Sequence, residues 1–253
     1  MSEQLKSLDT ATLKPINLEQ DWDNVRQKLN FEELANYSLI IGNVSPYRPE
    51  LIKSLALLSL KLKDKLTNYD TILIDDASGR LVGLYLLEQI KAKKRNEGIS
   101  TKTMAYGIIG GDISDEQKNA VKNFIKTKKN KLGKTLLVTE QVLSGEAIIR
   151  IAKLLKQKRI NFDIASVSVN PEFLNSKNKH RWAKNKLTYG SLGLDGSDFK
   201  HIEKGVTKRS PLTNSIDESS PHPQKDKYSN QSTINASRKY IRYLAQNILQ
   251  TIA

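Results

Sequence analysis

The chain has no cysteine among its 253 residues. A disulfide framework and a thiolate metal site are therefore excluded, and nothing in the residue content calls for an oxidising compartment. Histidine is scarce. His180, His201 and His222 stand far apart, without His-x-x-x-His spacing, so no metal set is assigned and no histidine-based nucleophile is legible. Aromatic residues make up 6% of the chain, and none interleaves with the basic runs as single-strand nucleic-acid grooves require. No apolar run approaches the roughly 20 residues that span a bilayer. The start, Met1-Ser2-Glu3-Gln4-Leu5-Lys6, lacks the basic-then-apolar order of a secretory leader. These absences lead us to expect a soluble, cytoplasmic protein with no membrane contact. Gly-x-Gly-x-x-Gly, the P-loop pattern and the Gly-x-Ser-x-Gly elbow are also missing, which argues against the dinucleotide, nucleoside-triphosphate and hydrolase classes they mark.

What the sequence has in excess is positive charge, a formal +14. Such a field concentrates polyanions of any kind. Lysines supply most of it, in runs such as Lys91-Ala92-Lys93-Lys94-Arg95 and Lys126-Thr127-Lys128-Lys129-Asn130-Lys131 at the ends of expected helices. Cations there also suit the helix dipole, so a solvated surface is the simpler account and nucleic-acid binding the weaker alternative.

The 38% hydrophobic content is enough for one ordinary core. Residues 1–48 read as an amino-terminal extension with a helix near Leu18 to Leu34. From Pro49, Leu51, Ile52, Leu55, Leu58 and Leu62 recur at helical spacing to about Asn68. Apolar strands then alternate with helices: strands at Thr71–Asp75, Met104–Ile109, Thr135–Thr139 and Phe162–Val169, and a fifth at Lys186–Tyr189. Ser114 and Gln117 form a capping box opening one of the helices. Strands this apolar, joined by crossovers of ten residues or more, predict an open parallel sheet with helices on both faces, over residues 49–204. Residues 205–232 read as an exposed irregular segment. A closing helix over 233–253 carries an apolar stripe, Ile234, Tyr240, Ile241, Leu244, Ile248 and Leu249, that needs cover from its own domain or from a second copy in a homodimer.

Ligands of open parallel sheets bind beyond the carboxyl ends of the strands. Two turns there stand out. Asp75-Asp76-Ala77-Ser78-Gly79-Arg80 offers backbone N–H groups and a helix start to an anion, with Arg80 able to make a bidentate phosphate contact; a tight turn with a solvated arginine is the plain alternative. In Thr139-Glu140-Gln141-Val142-Leu143-Ser144-Gly145-Glu146, Glu140 can accept from sugar hydroxyls while the following loop holds a phosphate. An ordinary helix start, with Ser144 as N-cap and Glu146 in the first turn, is the alternative there.

Together these turns resemble type I phosphoribosyltransferases. That family has a hydrophobic strand, two adjacent acids, a short apolar step and a Thr/Ser/Gly-rich loop, where this chain has Leu136-Leu137-Val138-Thr139-Glu140-Gln141-Val142-Leu143-Ser144-Gly145. The order of elements agrees from about Pro49 to Tyr189. The resemblance implies the type I phosphoribosyltransferase fold, Mg²⁺ bound to the pyrophosphate of phosphoribosyl pyrophosphate, and a nitrogen nucleophile displacing pyrophosphate through an oxocarbenium-like transition state. It also implies residue roles. Arg80 and the loop Ala77-Ser78-Gly79 would hold pyrophosphate; Glu140 and Gln141 would hold the ribose hydroxyls, and with Arg80 form the catalytic set. Val142, Leu143, Ser144 and Gly145 would wrap the 5-phosphate, and Trp182 or Tyr189 would stack on a base if not simply packed. Gln141 stands where the family has a second acid and carries no charge. A non-catalytic phosphoribosyl- or nucleotide-binding regulator of the same fold is accordingly the alternative reading.

Overall fold

The computed structural model describes residues 18–40, 49–76, 79–109, 114–176, 180–193 and 231–252. Strands β1 (Thr71–Asp76), β2 (Met104–Ile109), β3 (Thr135–Val142), β4 (Phe162–Val169) and β5 (Leu187–Leu192) form one parallel sheet in the order β2-β1-β3-β4-β5. The expected α/β class, with an open parallel sheet, is what the chain forms.

Successive strand residues face opposite sides of a sheet, and here both sides are apolar. Ile72, Leu136, Val138, Ala165 and Val167 meet α3 (Pro49–Leu62) and α4 (Arg80–Asn96). Leu73, Leu137, Phe162 and Ile164 meet α5 (Asp115–Leu132) and α6 (Glu146–Gln157). Two short helices, α7 (Pro171–Asn175) and α8 (Arg181–Lys184), complete the second face, and Phe173 and Ala183 are buried there.

The long closing helix, α9 (Gln231–Ile252), lies on the first face. Its Tyr240, Ile241, Leu244, Ile248 and Leu249 are buried in the same cluster as Tyr85, Leu86 and Ile90 of α4, so the chain's own domain covers this part of the stripe. A buried polar network fixes the seam. The Ser59 hydroxyl donates to Gln89 Oε1 at 2.9 Å and lies 2.7 Å from the Tyr85 hydroxyl, while Gln89 Nε2 donates to Tyr85 at 3.0 Å and to the Ala245 carbonyl at 3.3 Å.

Several boundaries differ from the sequence reading. The first helix is two, α1 (Leu18–Lys28) and α2 (Phe31–Ile40), because Asn30 Oδ1 accepts the Glu33 N–H at 3.0 Å and starts a new helix. Trp22, Val25, Leu29 and Leu34 from these helices are buried in the first-face core rather than standing off it. Strand β3 runs on through Glu140, Gln141 and Val142, and β5 runs on to Leu192, because pairing with β4 (Gln141↔Ser168, Ser168↔Ser191) holds these residues extended. Residues 181–184 form α8, which the sequence reading did not anticipate. The capping box is present as expected, with the Gln117 N–H reaching Ser114 Oγ at 3.3 Å and Ser114 N–H reaching Gln117 Oε1 at 3.0 Å. Residues 205–230 of the expected irregular segment, with His222, lie outside the described residues, as does His201, while Gln231 and Ser232 already belong to α9.

Candidate ligand-binding crevice

Strands β1 and β3 are neighbours, yet the helices that follow them leave to opposite faces: α4 joins the α3 and α9 side, α6 the α5 side. Two chains diverging from adjacent strands open a crevice between them, the position at which doubly wound sheets take ligands. The turns ending at Gly79 and Gly145 therefore flank one crevice. They do not lie on opposite edges of the sheet.

The floor of this region is polar, although it is buried. Asp75, at the end of β1, is 7% exposed, and its Oδ2 accepts the Thr139 hydroxyl at 3.2 Å across the β1–β3 pair. Ser166 continues the row on β4, opposite Thr139, donating to the Ser168 carbonyl at 2.6 Å and the Glu140 carbonyl at 3.2 Å. Glu140, the next residue of β3, is buried at 4% exposure on the opposite face of the sheet. Acids and hydroxyls so placed inside an apolar sheet are costly unless hydrogen-bonded, and such costs concentrate at sites that bind something.

Each flanking turn is shaped by a glycine. A β-carbon on residue 79 would stand 2.8 Å from the Asp75 carbonyl and 2.9 Å from that of Val138, so only glycine lets the start of α4 lie against the ends of β1 and β3. Its N–H donates to the Asp75 carbonyl at 2.9 Å and so closes the turn. Gly145 has φ +78°, and a side chain there would also strike the Phe173 ring. Gly145, not Ser144, occupies the cap position of α6. The Ser144 hydroxyl accepts the Glu146 N–H at 3.4 Å instead, and Glu146 is exposed to solvent.

The structure thus brings Gly79, Arg80, Glu140, Gln141, Ser144 and Gly145 to one end of the sheet, whereas Ala77 and Ser78 lie outside the described residues. Glu140, Gln141 and Val142 belong to the strand, which leaves Leu143, Ser144 and Gly145 as the turn; Leu143 is 58% exposed. Arg80, Glu140 and Gln141 are all engaged in polar or electrostatic contacts. Trp182 is elsewhere. Its ring packs edge-on against Phe162, the first residue of β4, with the Lys156 ammonium 4.7 Å from its centroid, so it serves packing at the opposite end of the strands. Tyr189 lies in the middle of β5, its ring 4.6 Å from the Lys61 ammonium. The sequence reading gave no role to Asp75, Thr139 or Ser166. The available signal was a carboxylate closing the apolar run Thr71-Ile72-Leu73-Ile74-Asp75 and a hydroxyl at the matching place on β3.

Among the described residues no group of three or more His, Asp or Glu side chains is placed to hold a metal ion. No protein-family model matches the chain, and no curated protein matches it.

Proposed function

We propose that the crevice between β1 and β3 binds a phosphorylated ribose and that the chain is a phosphoribosyltransferase-like protein of the type I arrangement. The observation that carries this reading is the pairing of two glycine-shaped turns with a buried acid and hydroxyl floor at the switch point of the sheet. Helix starts and turn amides favour phosphate; buried carboxylates favour hydroxyl donors; a ribose phosphate presents both.

In this reading the Gly79–Arg80 turn takes the pyrophosphate, and Ser144 and Gly145 take the 5-phosphate. Glu140 and Gln141 accept from and donate to the ribose hydroxyls. A nitrogen nucleophile bonds to the sugar's anomeric carbon as the carbon–oxygen bond to pyrophosphate breaks, and the bonding pair leaves with pyrophosphate. The protein contributes position and charge compensation. Mg²⁺ bound with the pyrophosphate would supply charge compensation for the leaving group, and such an ion would need only one or two protein carboxylates beside the phosphate oxygens. Asp75 on the second face of the sheet and Glu140 on the first are two of the carboxylates at this end that could add to that set.

Calorimetry with phosphoribosyl pyrophosphate and Mg²⁺ tests the reading, with saturable heat expected and its absence at millimolar ligand overturning it. Gln141 favours a second reading, a binding module without turnover, because an amide places no negative charge beside a developing oxocarbenium. Binding without pyrophosphate release across a panel of nucleobases is the result that selects it.

A further inference from the structure

The sheet ends in two edge strands, β5 and β2, and they are finished differently. Along β5 the edge is covered. The Tyr189 carbonyl, on the side away from β4, accepts from the Lys61 ammonium at 2.6 Å, and the Ser54 hydroxyl donates to Ser191 Oγ at 2.8 Å. Helix α3 lies so close there that a β-carbon on residue 190 would collide with the Ser54 carbonyl. Along β2 the edge is open. The Met104 N–H donates to the Asp70 carbonyl at 2.9 Å, and from there β2 pairs with β1 residue for residue. Backbone groups alternate in direction along a strand, so Ala105, Gly107 and Ile109 turn their N–H and C=O groups away from the sheet, where β2 has no second neighbour among the described strands. Exposed edges are commonly blunted by proline, a bulge or a charge within the strand, and Met104–Ile109 has none of these. Met104 instead stands 40% exposed, with Ala105 exposed beside it.

We propose that β2 pairs with β2 of a second copy of this chain, antiparallel about a two-fold axis at Gly107, so that two sheets join into one; this is independent of how the crevice is read. In that register every outward-facing residue of β2 meets another. Gly107 faces its own counterpart and Ala105 faces Ile109, an exchange of about six backbone hydrogen bonds. Between them Tyr106 stands opposite Ile108, an aromatic against a β-branched residue, which is a stabilising cross-strand pair. The flank of α5 beside this edge complements itself in charge. The Phe124 ring lies 5.2 Å from that of Tyr106, and helical spacing sets Glu116, Ala120, Thr127 and Lys131 on the same side of the helix as Phe124. Glu116 and Lys131 are exposed, and among the described residues neither lies in an ion pair. Phe124 is near the middle of this stripe, so turning a second copy about Gly107 carries the acidic start of each α5 towards the basic end of the other. By the same spacing Lys118, Lys122, Lys126 and Lys129 fall on other sides of the helix, Lys128 is half-buried, and the two Lys102 side chains belong to opposite ends of the joined strands. A stripe with one charge of each sign matches its own reverse better than a partner of uniform charge. A closed two-fold also covers both open edges at once and leaves none to propagate.

Sedimentation equilibrium of the full chain tests this, with A105P and A105K as edge variants. Proline at 105 removes one outward N–H and is tolerated on an edge strand, whereas lysine there sets a charge against an incoming strand. The parent is expected to be a dimer at tens of micromolar, and each edge variant to weaken association by about tenfold or more, while L192K at the end of β5 stays within about threefold. E116K and K131E are each expected to weaken the dimer by about threefold to tenfold, and the double variant E116K/K131E to return to within about threefold of the parent. Hydrogen exchange at the Ala105, Gly107 and Ile109 amides should slow as the protein concentration rises, with no such change at Leu187 or Ser191. A parent that is monomeric at tens of micromolar, assembly that continues beyond two copies, or a dimer that A105P and A105K leave intact overturns the proposal. So does a charge swap that recovers nothing, or a monomeric parent whose β2 amides are protected only by an added extended peptide. If A105P does not fold, A105K and the charge swap decide the question by the same criteria.

Discussion

At residue scale the most informative position is Gly145, where backbone and packing make the same demand. Its φ of +78° lies in the region costly for residues with a side chain, and the Phe173 ring fills the space a β-carbon needs. G145A is therefore expected to lose about 2–4 kcal/mol, of which roughly 1–2 is conformational. In an F173A background the added loss should fall towards the conformational part alone. Urea titrations of the four proteins measure this, and strictly additive losses would show that the ring does not constrain residue 145. A second residue-scale expectation concerns Lys61, whose ammonium donates to the Tyr189 carbonyl at 2.6 Å and whose pKa burial lowers from 10.5 to about 8. Between those values the unfolded chain holds more protons than the folded one at this site, so stability at this site rises with pH. Below pH 8 the cost of burying the charged form is fully present. K61M should remove this contribution, and the urea midpoint of the parent should gain on that of the variant from pH 8 to 10.5; parallel curves would reject the shift.

At the scale of elements, the seam between α3, α4 and α9 depends on apolar burial with a polar pin. Leu244 and Ile248 of α9 are fully buried against α4 and α3, and L244A is expected to cost about 2–5 kcal/mol through lost transfer energy and a cavity. Q89L acts differently. It removes a donor and acceptor from the cluster of Ser59, Tyr85 and the Ala245 carbonyl, leaving buried groups without their partner at a cost of about 1–3 kcal/mol. Hydrogen exchange distinguishes the two effects: Q89L should raise exchange rates in α9 before those in β3, whose amides are held by two neighbouring strands. Uniform exchange through both elements would mean that α9 unfolds only with the whole domain.

For the molecule as a whole, the fold gathers buried acids and hydroxyls, Asp75, Thr139, Glu140 and Ser166, at the carboxyl ends of β1, β3 and β4. A ligand in the crevice stabilises only the folded state, by about 2.7 kcal/mol at a hundredfold excess over its Kd. For a domain of this size that raises Tm by roughly 5–10 °C. Thermal melts in phosphoribosyl pyrophosphate and Mg²⁺ should show this rise for the parent protein and less than half of it for E140Q. An equal rise in both would remove Glu140 from the site.

The sequence by itself determined the class of fold, because strand and helix periodicities are local and survive without knowledge of neighbours. Thr71–Asp75, Met104–Ile109 and Phe162–Val169 are legible as apolar runs between helical patterns, and Ser114 with Gln117 as a cap, since each requires only residues a few places apart. The candidate glycines were legible for the same reason. Only the tertiary structure decided that β1 and β3 are neighbours, that their helices part to opposite faces, and that Asp75 meets Thr139. It also decided that Trp182 packs on Phe162. These depend on strand order and on groups 64 residues apart in the case of Asp75 and Thr139, and hydrophobic pattern, being blind to which strand pairs with which, does not encode them.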